Sequence, residues 1–325
     1  MSTFSRRRLL GGASGCAGYV FASLAGAPAD ARGRFALAQK GTVVAREPFG
    51  RLERLGDGVW ALVSTPLAAR TTLSNGGIVA GNDGVLLIEG FASVEGAQWM
   101  AAQAFRLTGR RPTHVVLTHY HGDHSGGLAG YRNDADLPLV LHTSTTRELL
   151  EASLQQRDTS GAESPLPTLR QEAMIADVGE PLRVDLGGRV ATVIAGMGHT
   201  PSDLTLRVED PRVVFCGDLV WNGMFPNYVD AIPMRLWSAC NELLADEGAI
   251  YVPGHGSLAD HGEMRGFLDL IEDVGQAARV AFERGLSPEE GAADYEVPAG
   301  LGEWFMFSPR YYEVAFIAWY RELSG

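Results

Sequence analysis

Short apolar runs recur from about residue 41 onward, each broken by Gly, Asn or Asp, and their spacing changes along the chain. Gly58-Val59-Trp60-Ala61-Leu62-Val63, Asn75-Gly76-Gly77-Ile78-Val79-Ala80 and Val85-Leu86-Leu87-Ile88 are too short for helices, and Asn82-Asp83-Gly84 is a strong turn signal, so these runs predict hairpin strands. Ser93 then caps a predicted helix that stops at Gly109 and turns Trp99, Met100 and Phe105 toward the core. His114-Val115-Val116-Leu117 is nearly continuous in apolar character, the pattern of a strand covered on both faces. Leu139-Val140-Leu141 is a further strand, and Thr145-Thr146-Arg147-Glu148 reads as a capping box that opens a helix.

A polar excursion at 155–176 interrupts the pattern, and its length fits either a lid or a solvated connection. Strands resume at 191–194, 204–208, 213–216 and 250–252, with helices at 235–246 and 262–284. A last helix begins at Ser308-Pro309 and carries Tyr311, Tyr312, Phe316, Trp319 and Tyr320. Strands alternating with helices, without repeats or low-complexity linkers, predict an α/β (α+β) protein in which residues 41–325 form one domain.

The first stretch differs in kind. Arg6, Arg7 and Arg8 precede a weakly apolar Gly/Ala-rich run, and Ser5-Arg6-Arg7-Arg8-Leu9-Leu10 resembles a twin-arginine export motif. Residues 1–38 are therefore read as an export signal and the mature protein as periplasmic or secreted. Small-residue cleavage patterns occur at Ala25-Gly26-Ala27, Ala29-Asp30-Ala31 and Ala36-Leu37-Ala38. Loss of this basic segment takes the formal charge from −12 to about −16. Such an acidic protein is a poor nucleic-acid partner, because phosphate contacts dominate that affinity. No later run approaches the ~20 apolar residues of a bilayer span, so no stable membrane span is expected after cleavage. Beyond Cys16 only Cys216 and Cys240 remain, too few for a disulfide framework, and both read as buried thiols with a single bridge as the alternative.

Candidate chemistry concentrates where strands end. His119-Tyr120-His121-Gly122-Asp123-His124 directly follows a predicted strand, and imidazole with carboxylate suits a borderline ion such as zinc. His119 and His121, two apart in an extended segment, can grip one ion, while Asp123 and His124 follow the turn at Gly122 and can face a second. Other strands exit into His199, Asp218 and His255, and a fifth into Glu89. Ligands bind beyond the carboxyl ends of strands in helix-covered sheets, so these exits can converge on one point. His199 would complete the first set and His255 the second, with Asp218 bridging two ions ~3.5–4 Å apart that share a hydroxide.

These motifs resemble those of the metallo-β-lactamase superfamily: HxHxDH at His119 to His124, Gly198-His199-Thr200, Gly217-Asp218 and Pro253-Gly254-His255, in order over about residues 55–260. The resemblance implies a four-layer αββα sandwich with the metal site at one edge of its two sheets, and two Zn2+ ions, with iron or manganese as alternatives. It also gives Glu89, where the family usually has Asp, a supporting place behind the ligands. True zinc β-lactamases generally carry Cys or Ser at the position of Asp218, whereas the bridging Asp resembles glyoxalase II, the lactonases and many other hydrolases of the superfamily.

The function expected is an exported dinuclear zinc hydrolase whose bridging hydroxide attacks the carbonyl of a small ester, lactone, thioester or amide. Asp123, besides its place as a ligand, would orient that hydroxide and carry a proton to the leaving group. The rival readings are a mononuclear iron oxidoreductase like the persulfide dioxygenases, a true β-lactamase, and a non-catalytic zinc-binding protein of the envelope. His114, His142 and His261 fall outside the motifs and are read as packed, capping or exposed; Cys216 is read as core and Asp203 as either a turn residue or a support behind the ligands. Trp221, Asn222, Met224, Phe225, Asn227 and Tyr228 follow Asp218 in a stretch that either packs or lines the mouth of the site. Substrate preference is expected to lie in loops 66–75, 155–176 and 221–234.

Overall fold

The computed structural model describes residues 39–132, 138–155, 164–177 and 179–325, so the segment read as an export signal lies outside it. The first sheet runs in sequence order through β1 (Thr42–Glu47), β2 (Gly50–Gly56), β3 (Val59–Ser64), β4 (Gly76–Ala80), β5 (Val85–Ile88), β6 (His114–Val116), β7 (Leu139–Thr143) and β8 (Met174–Ile175). The second holds β9 (Leu182–Asp185), β10 (Val190–Gly196), β11 (Asp203–Glu209), β12 (Arg212–Asn222) and β13 (Ile250–Gly256), ordered β13-β12-β11-β10-β9. The helices are α1 (Val94–Thr108), the single turn α2 (Gly122–Ser125), α3 (Ser144–Gln155), α4 (Pro233–Leu244), α5 (His261–Glu283), α6 (Pro288–Ala293) and α7 (Arg310–Leu323). Among the described residues no helix is long and apolar enough to cross a membrane.

Alternation along single strands sets the layering, because successive side chains of a strand point to opposite faces. Val59, Ala61 and Val63 of β3, with Leu86 and Ile88 of β5, meet Val213 and Phe215 of β12 and Leu204 and Leu206 of β11 in a core between the sheets. Their neighbours Trp60, Leu62 and Leu87 turn outward and pack against Ala97, Met100 and Ala104 of α1 and Leu150 of α3. On the far side, Val214, Cys216 and Tyr251 face Phe267 and Ile271 of α5 and Phe316 and Trp319 of α7. Three cores thus separate four layers, and each large apolar side chain buried in them contributes about 1.5–3 kcal/mol. This is the αββα sandwich.

Local signals place most of the boundaries. Ser93 caps α1 by accepting from the Gly96 N–H, and Gly109 closes it with φ 72° in the left-handed region. Phe105, expected in the core, is 55% exposed, because the buried stripe of α1 runs through Ala97, Met100 and Ala104 and the next residue turns about 100° away. The cap of α3 lies two residues earlier than expected: Thr143 Oγ1, not Thr145, accepts the Thr146 N–H at 3.0 Å. In the excursion, Thr168, Leu169 and Ala173 are buried and β8 extends the first sheet parallel to β7, so its second half covers the sheet instead of forming a lid; 156–163 lie outside the described residues. Strand β9, missed in the apolar pattern, buries only Val184 and survives as an edge strand paired to β10.

One glycine is fixed by the distance between the sheets. A Cβ on Gly77 of β4 would sit 2.2 Å from Phe215 Cε1, a ring buried in the central core. Neither sheet can withdraw without opening that core, so Gly77→Ala is expected to destabilise the protein by about 1–3 kcal/mol through overpacking. Urea unfolding midpoints measure this; an unchanged midpoint would show that the sheets are free to separate there.

Candidate metal centre

Parallel strands deliver the ligands to one edge of the sandwich. β5, β6 and β7 run parallel in the first sheet, as do β12 and β13 in the second, and the residues beyond or near the carboxyl ends of both sets come together in the same groups. His119 lies three residues beyond β6 and His199 three beyond β10, as their positions after strands suggest. Asp218 and His255 differ from expectation, since both lie inside strands that run on past them. What frees Asp218 is a break in pairing: Gly217 matches Pro253, but the next pair is Trp221 with His255, so residues 218–220 bulge against Gly254 alone. Gly217, at φ 53°, makes the bend.

The ligand atoms fall into two buried groups. His119, His121, His199 and Asp218 form one, and Asp123, His124 and His255 the other, with the ligand atoms of each within 4.8 Å of one another. In the first, His119 Nε2 and His199 Nε2 each lie 3.0 Å from His121 Nδ1, and Asp218 Oδ2 lies 3.2 Å from His199 Nε2. In the second, His255 Nε2 lies 3.2 Å from Asp123 Oδ2. Asp218 joins them, because its other oxygen, Oδ1, lies 3.1 Å from His124 Nε2 and 3.4 Å from His255 Nε2.

Charge explains why such a cluster needs a cation. Burial, followed by the neighbouring imidazoles of His124 and His121, holds His119 well below its ordinary range, and burial chiefly pulls His199 down to about 3. These rings are therefore neutral and turn lone pairs toward one another. Burial also opposes charge on His255 and His124, yet the Asp218 carboxylate outweighs it, raising His255 to about 9 and His124 well above its ordinary value. Both oxygens of Asp123 and of Asp218 are buried without a well-directed hydrogen bond from any described residue. Buried carboxylates beside converging lone pairs fit metal ions well, and a tetrahedron of zinc–nitrogen bonds has edges of about 3.3 Å, close to the spacings here.

Supporting groups hold the ligands from behind. Glu89, buried and at φ 79°, accepts from Thr118 Oγ1 at 2.5 Å through Oε1, and the same oxygen lies 3.0 Å from His124 Nδ1. Thr118 Oγ1 lies 3.0 Å from His119 Nδ1, so one carboxylate steadies a ring of each group. The left-handed backbone at Glu89 is fixed by the Tyr131 hydroxyl donating to its carbonyl at 2.7 Å. Asp203 shapes the His199 turn by accepting from Thr200 N and Oγ1, and burial raises its carboxyl to about 7. His114, His142 and His261 belong to neither group; His142 Nδ1 bonds instead to the Val140 carbonyl.

The stretch after Asp218 divides. Trp221, Met224, Phe225 and Tyr228 are core residues, and Trp221 also stacks on His255 with ring centroids 4.2 Å apart. Cys216 and Cys240 are buried free thiols. Sequence reasoning missed Asp230, whose Oδ2 lies 2.9 Å from His121 Nε2 and accepts the Tyr120 hydroxyl at 2.5 Å. No motif marks this aspartate; only the path of the chain after β12 brings it to His121.

A buried bis-ligand centre at one edge of an αββα sandwich defines the class of protein. The profile described as the metallo-beta-lactamase superfamily matches residues 69–255, and the chain belongs to that family. It is 25% identical over 156 residues to a hydroxyacylglutathione hydrolase of Shewanella sp. (strain ANA-3), a match covering 47% of this chain and 50% of that protein. It is 28% identical over 161 residues to the human acyl-coenzyme A thioesterase MBLAC2, covering 45% of this chain and 57% of the relative. The matches thus span little more than half the length of these relatives. Among solved structures, the inverting sec-alkylsulfatase Pisa1 from Pseudomonas sp. superposes with a TM-score of 0.63 at 15% identity, over 83% of this chain and 50% of that one. A metallo-beta-lactamase from Pontibacter korlensis gives 0.54 at 20% identity, over 69% and 99%. At these identities the two structures speak for the fold alone.

A second glycine follows from the centre. A Cβ on Gly254 would sit 1.8 Å from Asp218 Oδ1. Gly254→Ala is expected to push that carboxylate out of place and lower the metal bound per chain, read by elemental analysis, with far-UV circular dichroism unchanged. Full metal content in that variant would show that Asp218 does not need this position.

Proposed function

We propose that the protein is a metal-dependent hydrolase that takes two zinc ions and acts on a small ester, lactone, thioester or amide. The observation that carries the reading is Asp218, one oxygen of which faces each group of ligands. His119, His121 and His199 would hold one ion, Asp123, His124 and His255 the other, and Asp218 both. A pair of such ions supplies Lewis acidity for a carbonyl oxygen and activates water at neutral pH. The chain's own part is to orient and to exclude. Every ligand side chain is buried, which keeps bulk water from the centre and strengthens each electrostatic contact. Asp123 turns Oδ2 toward His255, which leaves Oδ1 to orient the attacking water and carry its proton to the leaving group.

The relatives named for hydroxyacylglutathione and acyl-coenzyme A favour a thioester among these substrates. Residues 1–38, with Arg6, Arg7 and Arg8 ahead of a Gly/Ala-rich run, support export by the twin-arginine route to the periplasm or beyond.

Elemental analysis of the purified chain, followed by a screen of thioesters, lactones, aryl esters and a chromogenic cephalosporin, tests the proposal. The expected result is two zinc ions per chain and turnover of an acyl substrate that a chelator abolishes, with Asp218→Ala holding fewer than two ions and losing at least about 100-fold in rate. A single tightly held iron with oxygen consumption, or a fully loaded and active Asp218→Ala variant, would overturn it.

A further inference from the structure

We propose that Asp230 is the positioning residue for His121, and that the last turn of α7 holds it there, so that the C-terminal helix helps set metal affinity at the first group of ligands. The inference rests on reading His119, His121, His199 and Asp218 as that group.

His121 has a task the other histidines of its group do not share. It presents Nδ1, the nitrogen nearer the backbone, toward His119 and His199, whereas those two present Nε2. With Nδ1 turned inward, Nε2 must carry the proton and must find an acceptor, or a neutral ring is free to flip and take the wrong tautomer. Asp230 Oδ2 is that acceptor at 2.9 Å, with the His121 side chain fully buried and that of Asp230 14% exposed. The Tyr120 hydroxyl donates to the same oxygen at 2.5 Å, which restrains the carboxylate where it meets the ring. A carboxylate on the outer nitrogen also makes the inner one a better donor to a cation.

Asp230 belongs to an irregular segment between β12 and α4, so something must hold it. On one side the Ile232 N–H donates to the Gly198 carbonyl at 2.8 Å, which ties the segment to the turn that carries His199. On the other, α7 grips it from outside: Arg321 Nη2 donates to the carbonyls of Val229 and Ala231, the two residues flanking Asp230, both at 3.4 Å. The next residue, Glu322, accepts the Met234 N–H through Oε2 at 2.7 Å. The matched family region ends at residue 255, so this clasp comes from a part of the chain beyond it.

The test is zinc affinity of the full chain, measured by competition with a chromophoric chelator, together with the absorption spectrum of the cobalt(II)-substituted protein. Asp230→Ala and Asp230→Asn are each expected to weaken one zinc position by about 10- to 100-fold, leave the other unchanged, and shift the cobalt bands, as the loss of a carboxylate behind a ligating histidine does. Arg321→Ala should weaken the same position by a few fold. Thermal unfolding of the metal-free proteins shows which variants keep the fold, and should Asp230→Ala not fold, Asp230→Asn decides alone. Wild-type zinc affinity and an unaltered cobalt spectrum in the folded Asp230 variants would overturn the assignment, and wild-type affinity in Arg321→Ala would overturn the role of α7. A wild-type chain that takes up no zinc would instead overturn the metal-centre reading on which both rest.

Discussion

The carboxylate of Asp218 sits between two sets of imidazoles, fully enclosed, with each oxygen turned to a different set. An enclosed negative charge is tolerable only with compensating positive charge close by. Protons on His124 and His255 can supply it, and metal ions supply it with better geometry. Much of the surrounding structure serves this one requirement. Gly217 bends β12 so that the carboxylate points inward, Gly254 leaves the space it fills, and the parallel pairing of β12 with β13 brings His255 to its side.

The layers of the sandwich make that placement rigid. Two sheets held face to face by Phe215, Leu86 and their neighbours fix where strand ends emerge, and the helical layers on either side keep the sheets from shifting. Around the ligands stands a ring of carboxylates with separate tasks. Glu89 steadies His119 and His124, Asp203 shapes the turn that presents His199, and Asp230 takes the outer nitrogen of His121. The imidazoles are thus oriented by acids that do not themselves belong to either group.

The sequence made the parts near strand ends legible. His119, His121, Asp123, His124 and His199 stand where a short apolar run gives way to a turn, and the short apolar runs at 58–63 and 85–88 mark β3 and β5 as strands without telling which face meets which layer. Asp218 and His255 are legible by motif, yet their surroundings are not: the strands continue past them, and a bulge rather than a loop aims Asp218 inward. Phe105 differs from its pattern for a smaller reason, since one residue of phase on a helix separates a core position from an exposed one. Asp230 could not be found at all. Its partner lies 109 residues earlier, and it sits in an irregular segment whose path depends on packing against α7, which no local pattern encodes.

Two metal ions joined by Asp218 at this edge of the sandwich are the reading we propose. Anomalous X-ray diffraction from zinc-loaded crystals, collected on both sides of the zinc edge, addresses it directly. Two peaks about 3.5–4 Å apart are expected, one among His119, His121 and His199, the other among Asp123, His124 and His255, with Asp218 between them. A single peak, or two peaks with Asp218 turned away from either, would contradict it.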